Sequence, residues 1–369
     1  MKANPERLLS LDALRGFDMF WIIGSGRLWH ELAKLTDWPI FNWWSTQMRH
    51  CEWNGFHFYD LIFPLFLFIA GISFPFSLEK SRQKGVAQKA LYFRIIKRGL
   101  ILVFLGLVFN GLLKLDFDTQ RYSGVLTRIG LAWMFAALIF INTKRNARIL
   151  WCVGLMVFYW LALTFIQAPD FPDAPRFSIE GNIACYIDRA FLPGRIQYEL
   201  YDLSGLSGVI PAICSTMLGM FTGMFIKSTK EKLTPQRKVV YMTGAGIGLI
   251  GLGLLWGLIL PINKPIWTSS YVCLAGGVSL LLFTLFYWII DVCGYRRWTL
   301  FFTVIGLNSI TIYMAQPIIN FQFTANFLFG GIVSLFPKDW TPLLNNFTYI
   351  IICWLFLYFL YRKKIFLKV

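Results

Sequence analysis

The sequence predicts an all-α protein, a polytopic bundle of about ten transmembrane helices with one short re-entrant or interfacial segment. Its 369 residues are 57% apolar and only 15% charged, whereas soluble domains carry about 25% charged residues. Windows of about 20 apolar residues recur along the chain, and each is long enough to cross a hydrocarbon core of about 30 Å as a helix. The basic residues gather in alternate breaks between these windows.

The expected spans are the apolar windows between breaks that contain charged residues, Pro, Gly or Asn. They cover residues 10–29, 57–78, 93–113, 123–142, 149–167, 207–226, 239–260, 268–290, 299–320 and 346–362. The segment 323–337, FTANFLFGGIVSLFP, is too short to cross and is expected to be re-entrant or interfacial. Small-residue pairs such as Gly219/Gly223 and Gly244/Gly248 are expected to let helix backbones pack closely.

The distribution of basic residues predicts the orientation. Most of the 35 Lys and Arg residues lie near the two termini and in the breaks 80–98, 144–148, 227–238 and 296–297. The positive-inside rule places these breaks and both termini in the cytoplasm, which agrees with an even number of spans. The net charge of +16 is therefore expected to face membrane lipids, and no nucleic-acid partner is expected.

Two long segments are expected on the external side, at residues 30–56 and 168–206. Both exceed the usual length of a connector, which favours a functional role. Of the seven cysteines, only Cys51 and Cys185 fall in loops that can share a compartment. Their spacing alone does not establish a disulfide.

The first span carries three charged side chains, which are costly inside a membrane unless they are paired, hydrated or functional. Asp12 and Arg15 are three residues apart and share a helix face that Asp18 continues. An Asp12–Arg15 pair and a ligand role are both open. These charges, together with the lack of a small-residue cleavage site, indicate that the first segment is not a cleaved signal.

A second polar cluster lies where the external segment meets the second span, in MRHCEWNGFHFYDLIFPLFLFIAG at residues 48–71. It holds His50, Glu52, Asn54, His57 and Asp60, and His57 and Asp60 are spaced to touch on one helix face. No metal is expected, because the Trp-Asn-Gly sequence predicts a turn between the two histidines rather than one helical face.

Seven motifs in order resemble the transmembrane heparan-alpha-glucosaminide N-acetyltransferase family, specifically its shorter bacterial branch. They are RLLSLDALRG (7–16), HCEWNGFHFYDLIFPLFLFIAG (50–71), RIIKRGLILVFLGLVFNG (94–111), GVLTRIGLA (124–132), YDLSGLSGVIPAICSTMLGMFTG (201–223), WTSSYVCLAGG (267–277) and GLNSITIY (306–313). The resemblance implies one transmembrane domain over residues 1–369. It also implies transfer of an acetyl group from cytosolic acetyl-CoA to the amine of a terminal glucosamine on the external face.

The family's catalytic histidine matches His50, and Asn54 and Asp60 match recurring positions of the same motif. Imidazole is suited to accept the amine proton near neutral pH, and it is also suited to carry the acetyl group itself. Asp60 or Glu52 is expected to orient the ring, and Asn54 or a backbone amide to stabilise the oxyanion.

The cytoplasmic basic residues suit the phosphates of coenzyme A. The expected cofactor-binding residues are Arg15, Arg94, Lys97 and Arg98. The expected substrate-binding residues are Asp12, Asp18, Trp53, His57, Arg128 and Asn308. Trp43, Trp44 or Trp53 is expected to stack on the sugar, although most of the 15 tryptophans suit an interfacial aromatic belt.

The sequence departs from the family on the acceptor side. Many bacterial relatives carry Asn followed by Pro-Gly near the end of the first span, where this chain reads IIGSGRLWH, so the identity of the acceptor sugar stays open. Two other functions also stay open: a proton-coupled transporter or flippase for a sugar or lipid-linked sugar, and a structural component of a cell-envelope complex. The resemblance implies the bacterial inner membrane, and assembly into a homo-oligomer stays open.

Overall fold

A computed structural model describes residues 8–228 and 233–367 of the chain. In these residues the regular elements are helices, joined by turns and a few isolated β-bridges. The all-α class is therefore confirmed. The basic residues expected at the cytoplasmic N-terminus, within residues 1–7, lie outside the described part of the chain.

In chain order the α-helices are α1 (Leu9–Phe20), α2 (Gly26–Thr36), α3 (Pro39–Gln47), α4 (Phe58–Gln83), α5 (Gln88–Phe109), α6 (Val125–Asn142), α7 (Arg145–Phe165), α8 (Ile183–Phe191), α9 (Val209–Lys227), α10 (Pro235–Gly257), α11 (Ser269–Tyr287), α12 (Thr299–Leu307), α13 (Ser309–Ala315), α14 (Phe321–Val333) and α15 (Thr341–Arg362). Two π-helical turns, Trp21–Ser25 and Trp288–Val292, extend α1 and α11. The two long segments expected on the external side, 30–56 and 168–206, contain α3 and α8.

Seven helices in the described residues are long and apolar enough to cross a membrane. They are Phe58–Gln83, Val125–Asn142, Arg145–Phe165, Val209–Lys227, Pro235–Gly257, Ser269–Val292 and Lys338–Arg362, and each coincides with an expected span. The protein is a multi-pass transmembrane protein, but the expected count of about ten spans is not confirmed.

The other three expected spans are helical with identifiable irregularities. The first is interrupted by the π-helical turn Trp21–Ser25, and the ninth by a break between α12 and α13 at Asn308. The third is α5, whose first half carries four basic residues. The expected re-entrant or interfacial segment contains α14, which has 13 residues and is shorter than a membrane-crossing helix.

The chain divides into two compact units. The first unit comprises residues 1–51, 57–62 and 282–368. In it α1 packs against α12 at very short range, because a Cβ on Gly16 would lie 1.7 Å from the Phe302 carbonyl oxygen. A buried apolar cluster that includes Met19 and Leu357 joins α1 to α15.

The second unit comprises residues 52–56 and 63–281, with α5 packed on α6, and α6 and α7 packed on α9. Glycines bring α4 and α9 into backbone contact, since a Cβ on Gly219 would lie 2.0 Å from the Phe68 carbonyl oxygen. The close packing expected at Gly219 and Gly223 is confirmed. At Gly244 and Gly248 it is wrong, because nothing described lies within 4 Å of either added Cβ. Within the described residues, no disulfide joins Cys51 to Cys185.

Gly219→Ala should destabilise the protein by about 1–3 kcal/mol, the usual cost of inserting a methyl group into a closely packed contact. Gly248→Ala is the matched control, because it adds the same methyl group to α10 where the described structure leaves open space. Thermal unfolding in detergent should show a lower midpoint for Gly219→Ala only. Equal midpoints for both variants would contradict the close approach of α4 and α9.

Candidate active site

Asp60 lies in the first turn of α4 and fastens the residues around the start of that helix. Its Oδ2 atom accepts hydrogen bonds from the backbone N–H groups of His57 (2.9 Å) and Cys51 (3.3 Å). An acidic side chain at the third helical position that bonds back to the preceding backbone is a helix-capping arrangement. The carboxylate is 1% exposed, so its position is fixed by burial as well as by these bonds.

The same carboxylate holds His50. The Nδ1 atom of His50 lies 2.8 Å from Asp60 Oδ1, and because an ionised carboxylate only accepts hydrogen bonds, Nδ1 is the protonated nitrogen. Nε2 is then left as the basic nitrogen. The His50 side chain is 39% exposed, and its ring lies against Tyr59 at a centroid distance of 4.8 Å. The site therefore combines a buried carboxylate with an oriented, accessible imidazole, which is the arrangement that base catalysis requires.

His57 lies beside this pair, and its Nδ1 atom is 3.1 Å from the Arg49 carbonyl oxygen. Three side chains here each offer one possible metal-ligand atom: Cys51, His57 and Asp60. These three atoms lie within 4.8 Å of one another, so a metal ion could bind between them. Both Asp60 oxygens already accept hydrogen bonds. The absence of a metal stays a prediction.

The Trp-Asn-Gly turn belongs to the second unit. Asn54 Oδ1 accepts from Asn263 Nδ2 at 3.1 Å, and the Trp53 indole donates to the Phe177 carbonyl oxygen at 2.7 Å. Gly55 has φ 125°, which favours glycine. Asn54 thus has a positioning contact, and its expected oxyanion role stays a prediction, as does the catalytic role of the exposed Glu52.

Arg128 is 1% exposed and is enclosed by the second unit. Its Nη2 atom donates to the Gly205 carbonyl oxygen at 3.0 Å. Its guanidinium carbon lies 5.0 Å from the Trp267 ring centroid and 5.9 Å from that of Phe63, a cation–π setting. Within the described residues, Nε and Nη1 have no hydrogen-bond partner. A substrate-binding role for Arg128 stays a prediction.

The segment 168–206 contributes two buried carboxyl groups to the same unit, those of Asp188 and Asp202. Asp202 receives a bidentate interaction from Arg121, with N–O distances of 2.6 and 2.8 Å. Burial would raise the pKa of Asp202, but the hydrogen bonds and charge of Arg121 hold it below its usual value. Burial raises the pKa of Asp188 to about 7, although the Leu206 backbone N–H and the Arg128 charge oppose that shift. Asp188 therefore titrates near neutral pH.

Three predicted residues of the first unit have local partners. Asp12 Oδ1 lies 3.5 Å from Arg15 Nη1, so the pair expected from their spacing is confirmed. Asn308 donates to the Ile365 carbonyl oxygen at 3.1 Å and so links the break between α12 and α13 to the C-terminal tail. Cofactor binding by Arg15 and ligand roles for Asp12 and Asn308 stay predictions.

Three of the four predicted phosphate-binding residues, Arg94, Lys97 and Arg98, lie on α5 in the second unit. Arg94 and Lys97 are exposed, while the Arg98 guanidinium carbon lies 4.2 Å from the centroid of the Trp133 ring. Arg98 therefore also packs α5 against α6. Of the expected sugar-stacking residues, Trp43 is 53% exposed and Trp44 stacks on Trp29 with centroids 5.5 Å apart.

The structure brings His50, His57 and Asp60 together and adds Tyr59, which the sequence reasoning missed. Tyr59 was missed because, in the sequence, it is one of many aromatic residues at the start of an apolar span. Asn263 and Trp267 were missed because they lie more than 200 residues from Asn54 and more than 100 from Arg128 along the chain. Only the fold could identify these partners.

These observations define a class: a multi-pass helical membrane protein with an accessible histidine oriented by a buried carboxylate. The family described as "Heparan-alpha-glucosaminide N-acetyltransferase, catalytic" matches residues 7–251, a stretch that contains this site. The chain belongs to that family, which confirms the resemblance carried by its motifs. Membership of a bacterial branch stays a prediction.

Two curated relatives, both named heparan-alpha-glucosaminide N-acetyltransferase, are similar to the whole chain. The protein from Homo sapiens is 26% identical over 436 aligned residues, and the protein from Mus musculus is 26% identical over 438. In both cases the alignment covers 100% of this chain and 61% of the relative. The chain therefore spans about three fifths of the length of these relatives.

The stability of the protein should depend on Asp188 in a defined pH window. The carboxyl ionises near pH 3.9 in the unfolded chain and near pH 7 in the folded protein. The folded state therefore holds the extra proton, and this group's contribution to stability is lost as the pH rises from about 4 through about 7. The asparagine of Asp188→Asn does not ionise, so this variant does not lose stability in that window. The unfolding temperature of the variant minus that of wild type should therefore be higher at pH 8 than at pH 5. A difference that is the same at both pH values would contradict the assignment.

Proposed function

We propose that the protein is a membrane-embedded acetyltransferase that moves an acetyl group from acetyl-CoA to the amine of a glucosamine-like sugar. The observation that carries this proposal is the contact between His50 Nδ1 and Asp60 Oδ1 at 2.8 Å, in a chain that belongs to an N-acetyltransferase family. The contact leaves His50 Nε2 as a base in an accessible position.

In the proposed reaction, the amine nitrogen attacks the thioester carbonyl carbon and His50 Nε2 takes the amine proton. The buried Asp60 carboxylate stabilises the imidazolium that forms. The carbon–sulfur bond then breaks, and the leaving sulfur takes the proton from His50, which yields free coenzyme A and the N-acetylated sugar. An acetyl-histidine intermediate on the same nitrogen is the covalent version of this pathway.

The acceptor side is proposed to be external and the donor side cytoplasmic. The positive-inside rule supports this orientation, with both termini in the cytoplasm. The location in the inner membrane of a bacterial cell is what the motif resemblance implies. The exposed aromatic residues Trp38, which immediately precedes α3, and Trp43, within α3, then lie on the acceptor side. They suit either the membrane interface or the apolar face of a sugar.

The basic residues of α5 are proposed to hold the phosphates of acetyl-CoA. Arg94 and Lys97 are exposed and Arg98 is half-buried, so the first two are free to contact a ligand in solution. A hydrocarbon core of about 30 Å separates the two sides of a membrane. Either the pantetheine arm enters the bundle, or the acetyl group is relayed.

His50→Ala should lower the turnover number for glucosamine-dependent release of coenzyme A by about 10²–10⁴-fold, the usual contribution of a positioned base. Asp60→Asn should lower the turnover number by about 10–100-fold, because the imidazolium of His50 loses the carboxylate charge that stabilises it. Each factor of ten corresponds to 1.36 kcal/mol of transition-state stabilisation. The assay is thiol release by purified protein in detergent.

His30→Gln is the matched control for the His50 variant. His30 is a histidine of the same unit whose Nδ1 atom lies 2.8 Å from Ser45 Oγ, and it has no place in the proposed reaction. Its variant should keep wild-type turnover. A folded His50→Ala protein that remains as active as His30→Gln would overturn the assignment of the base.

Arg94→Gln/Lys97→Gln should raise the apparent KM for acetyl-CoA by up to about tenfold. Each exposed charged contact contributes roughly 0.2–1 kcal/mol, and 1.4 kcal/mol is a factor of ten. The control is Lys144→Gln/Arg145→Gln, which removes the same charge between α6 and α7. If both double variants keep the wild-type KM at low salt, the phosphate site lies elsewhere.

A further inference from the structure

Asp18 is a buried carboxyl group whose role is not explained by the packing of α1. It is 0% exposed, and within the described residues neither of its oxygens has a hydrogen-bond partner. The Asp60 carboxylate, also buried, accepts from both backbone and side-chain donors. A buried polar group without a partner costs free energy and calls for an explanation such as a ligand.

Trp21 provides a second polar atom of the same kind. Its indole Nε1 is buried and, in the part of the chain described, also has no hydrogen-bond partner. Trp21 lies three residues after Asp18, so the two side chains project from one face of the helix. At Trp21 the α1 helix changes to a π-helical turn in which Gly24 has φ 136°, and such turns are frequent at functional sites.

Aromatic rings of the first unit lie beside Trp21 and beside His50. The Trp21 ring lies 5.2 Å from Phe58 and 5.8 Å from Phe17, measured between centroids. Tyr59 follows Phe58 in α4, and its ring lies 4.8 Å from that of His50, measured between centroids. Trp21, one helical turn from Asp18, contacts Phe58, and the next residue, Tyr59, contacts His50. This chain of residues links the buried carboxyl group to the accessible imidazole.

A carboxylate surrounded by aromatic rings is suited to bind a primary ammonium group. The carboxylate provides the opposite charge and the ring faces provide cation–π attraction, which is strongest where water is excluded. A neutral hydroxyl group gains neither interaction. A ligand ammonium would also supply the hydrogen-bond donors that the Asp18 oxygens lack.

We propose that Asp18, with the rings of Trp21 and Tyr59, binds the ammonium group of the acceptor and so selects amino-sugars over neutral sugars. The statement that the bound ammonium belongs to the acetyl acceptor rests on the proposed acetyl transfer. The statement that Asp18 binds an ammonium group does not rest on it. The site first holds the charged amine, and the Asp18 carboxylate then takes one proton from the ammonium, which frees the nitrogen lone pair. His50 takes the second proton when the neutral amine attacks the thioester, and passes it to the leaving sulfur.

Asp12 shows why Asp18 is the group that selects. Both carboxyl groups lie in α1 and both are buried, but Asp12 is paired with Arg15 within the helix. A carboxylate that already has a cation gains less from a second one. Within the described residues, Asp18 is the carboxyl group on α1 whose two oxygens both lack a hydrogen-bond donor.

The test is equilibrium binding of glucosamine and glucose to the purified full chain by calorimetry, without acetyl-CoA. Wild type should bind glucosamine at least about tenfold more tightly than glucose. Asp18→Asn should remove this preference, and so should a pH at which the amine is neutral. Asp37→Asn is the matched control, because it makes the same charge change at an exposed position of the same unit. Asn also tolerates the left-handed backbone there (φ 49°).

A folded Asp18→Asn protein that keeps the preference for glucosamine would overturn the proposal, and so would a wild-type protein that binds both sugars equally. If Asp18→Asn does not fold, Trp21→Leu tests the same site: it should reduce the preference at least threefold, and an unchanged preference would overturn the proposal. Because no acetyl donor is present, a preference that depends on Asp18 supports the ammonium site even if acetyl transfer is never observed.

Discussion

The site depends on one buried carboxylate. Asp60 lies in the first turn of α4, where its two oxygens accept hydrogen bonds from the His50 ring and from the backbone of His57 and Cys51. It therefore fixes the chain that enters the helix and sets which nitrogen of His50 carries the proton. A polar cluster at the end of an apolar span is stable here because its one buried charge is fully engaged.

Much of the fold could be predicted from the sequence because a membrane imposes a simple rule on apolar length. Seven expected spans correspond to helices that can cross a membrane. The interruptions were not predicted, since the π-helical turn after Phe20 and the break at Asn308 lie inside continuous apolar windows. Whether a glycine pair packs against a neighbour was also beyond the sequence: Gly219 does and Gly248 does not, although both have the same spacing signal.

The candidate site was predicted in composition but not in geometry. Close spacing along the chain was enough to bring His50 and Asp60 together. It was not enough to choose between Asp60 and Glu52 as the partner of the ring, and the structure places Asp60 in that contact. Partners distant in sequence, such as Trp267 beside Arg128, follow from tertiary packing alone. Asp18 is likewise buried without a hydrogen-bond donor in the part of the chain that the structure describes, and its neighbours in the sequence could not predict this.

The most direct test of the central claim is the stoichiometry of products made by the purified wild-type protein in detergent, where no transmembrane gradient exists. The protein would be given acetyl-CoA labelled in the acetyl group together with glucosamine, and both products would be measured by mass spectrometry. The account predicts one labelled N-acetylated sugar for each coenzyme A released. Folded protein that leaves glucosamine and a panel of other amino-sugars unmodified would contradict the account and favour transport.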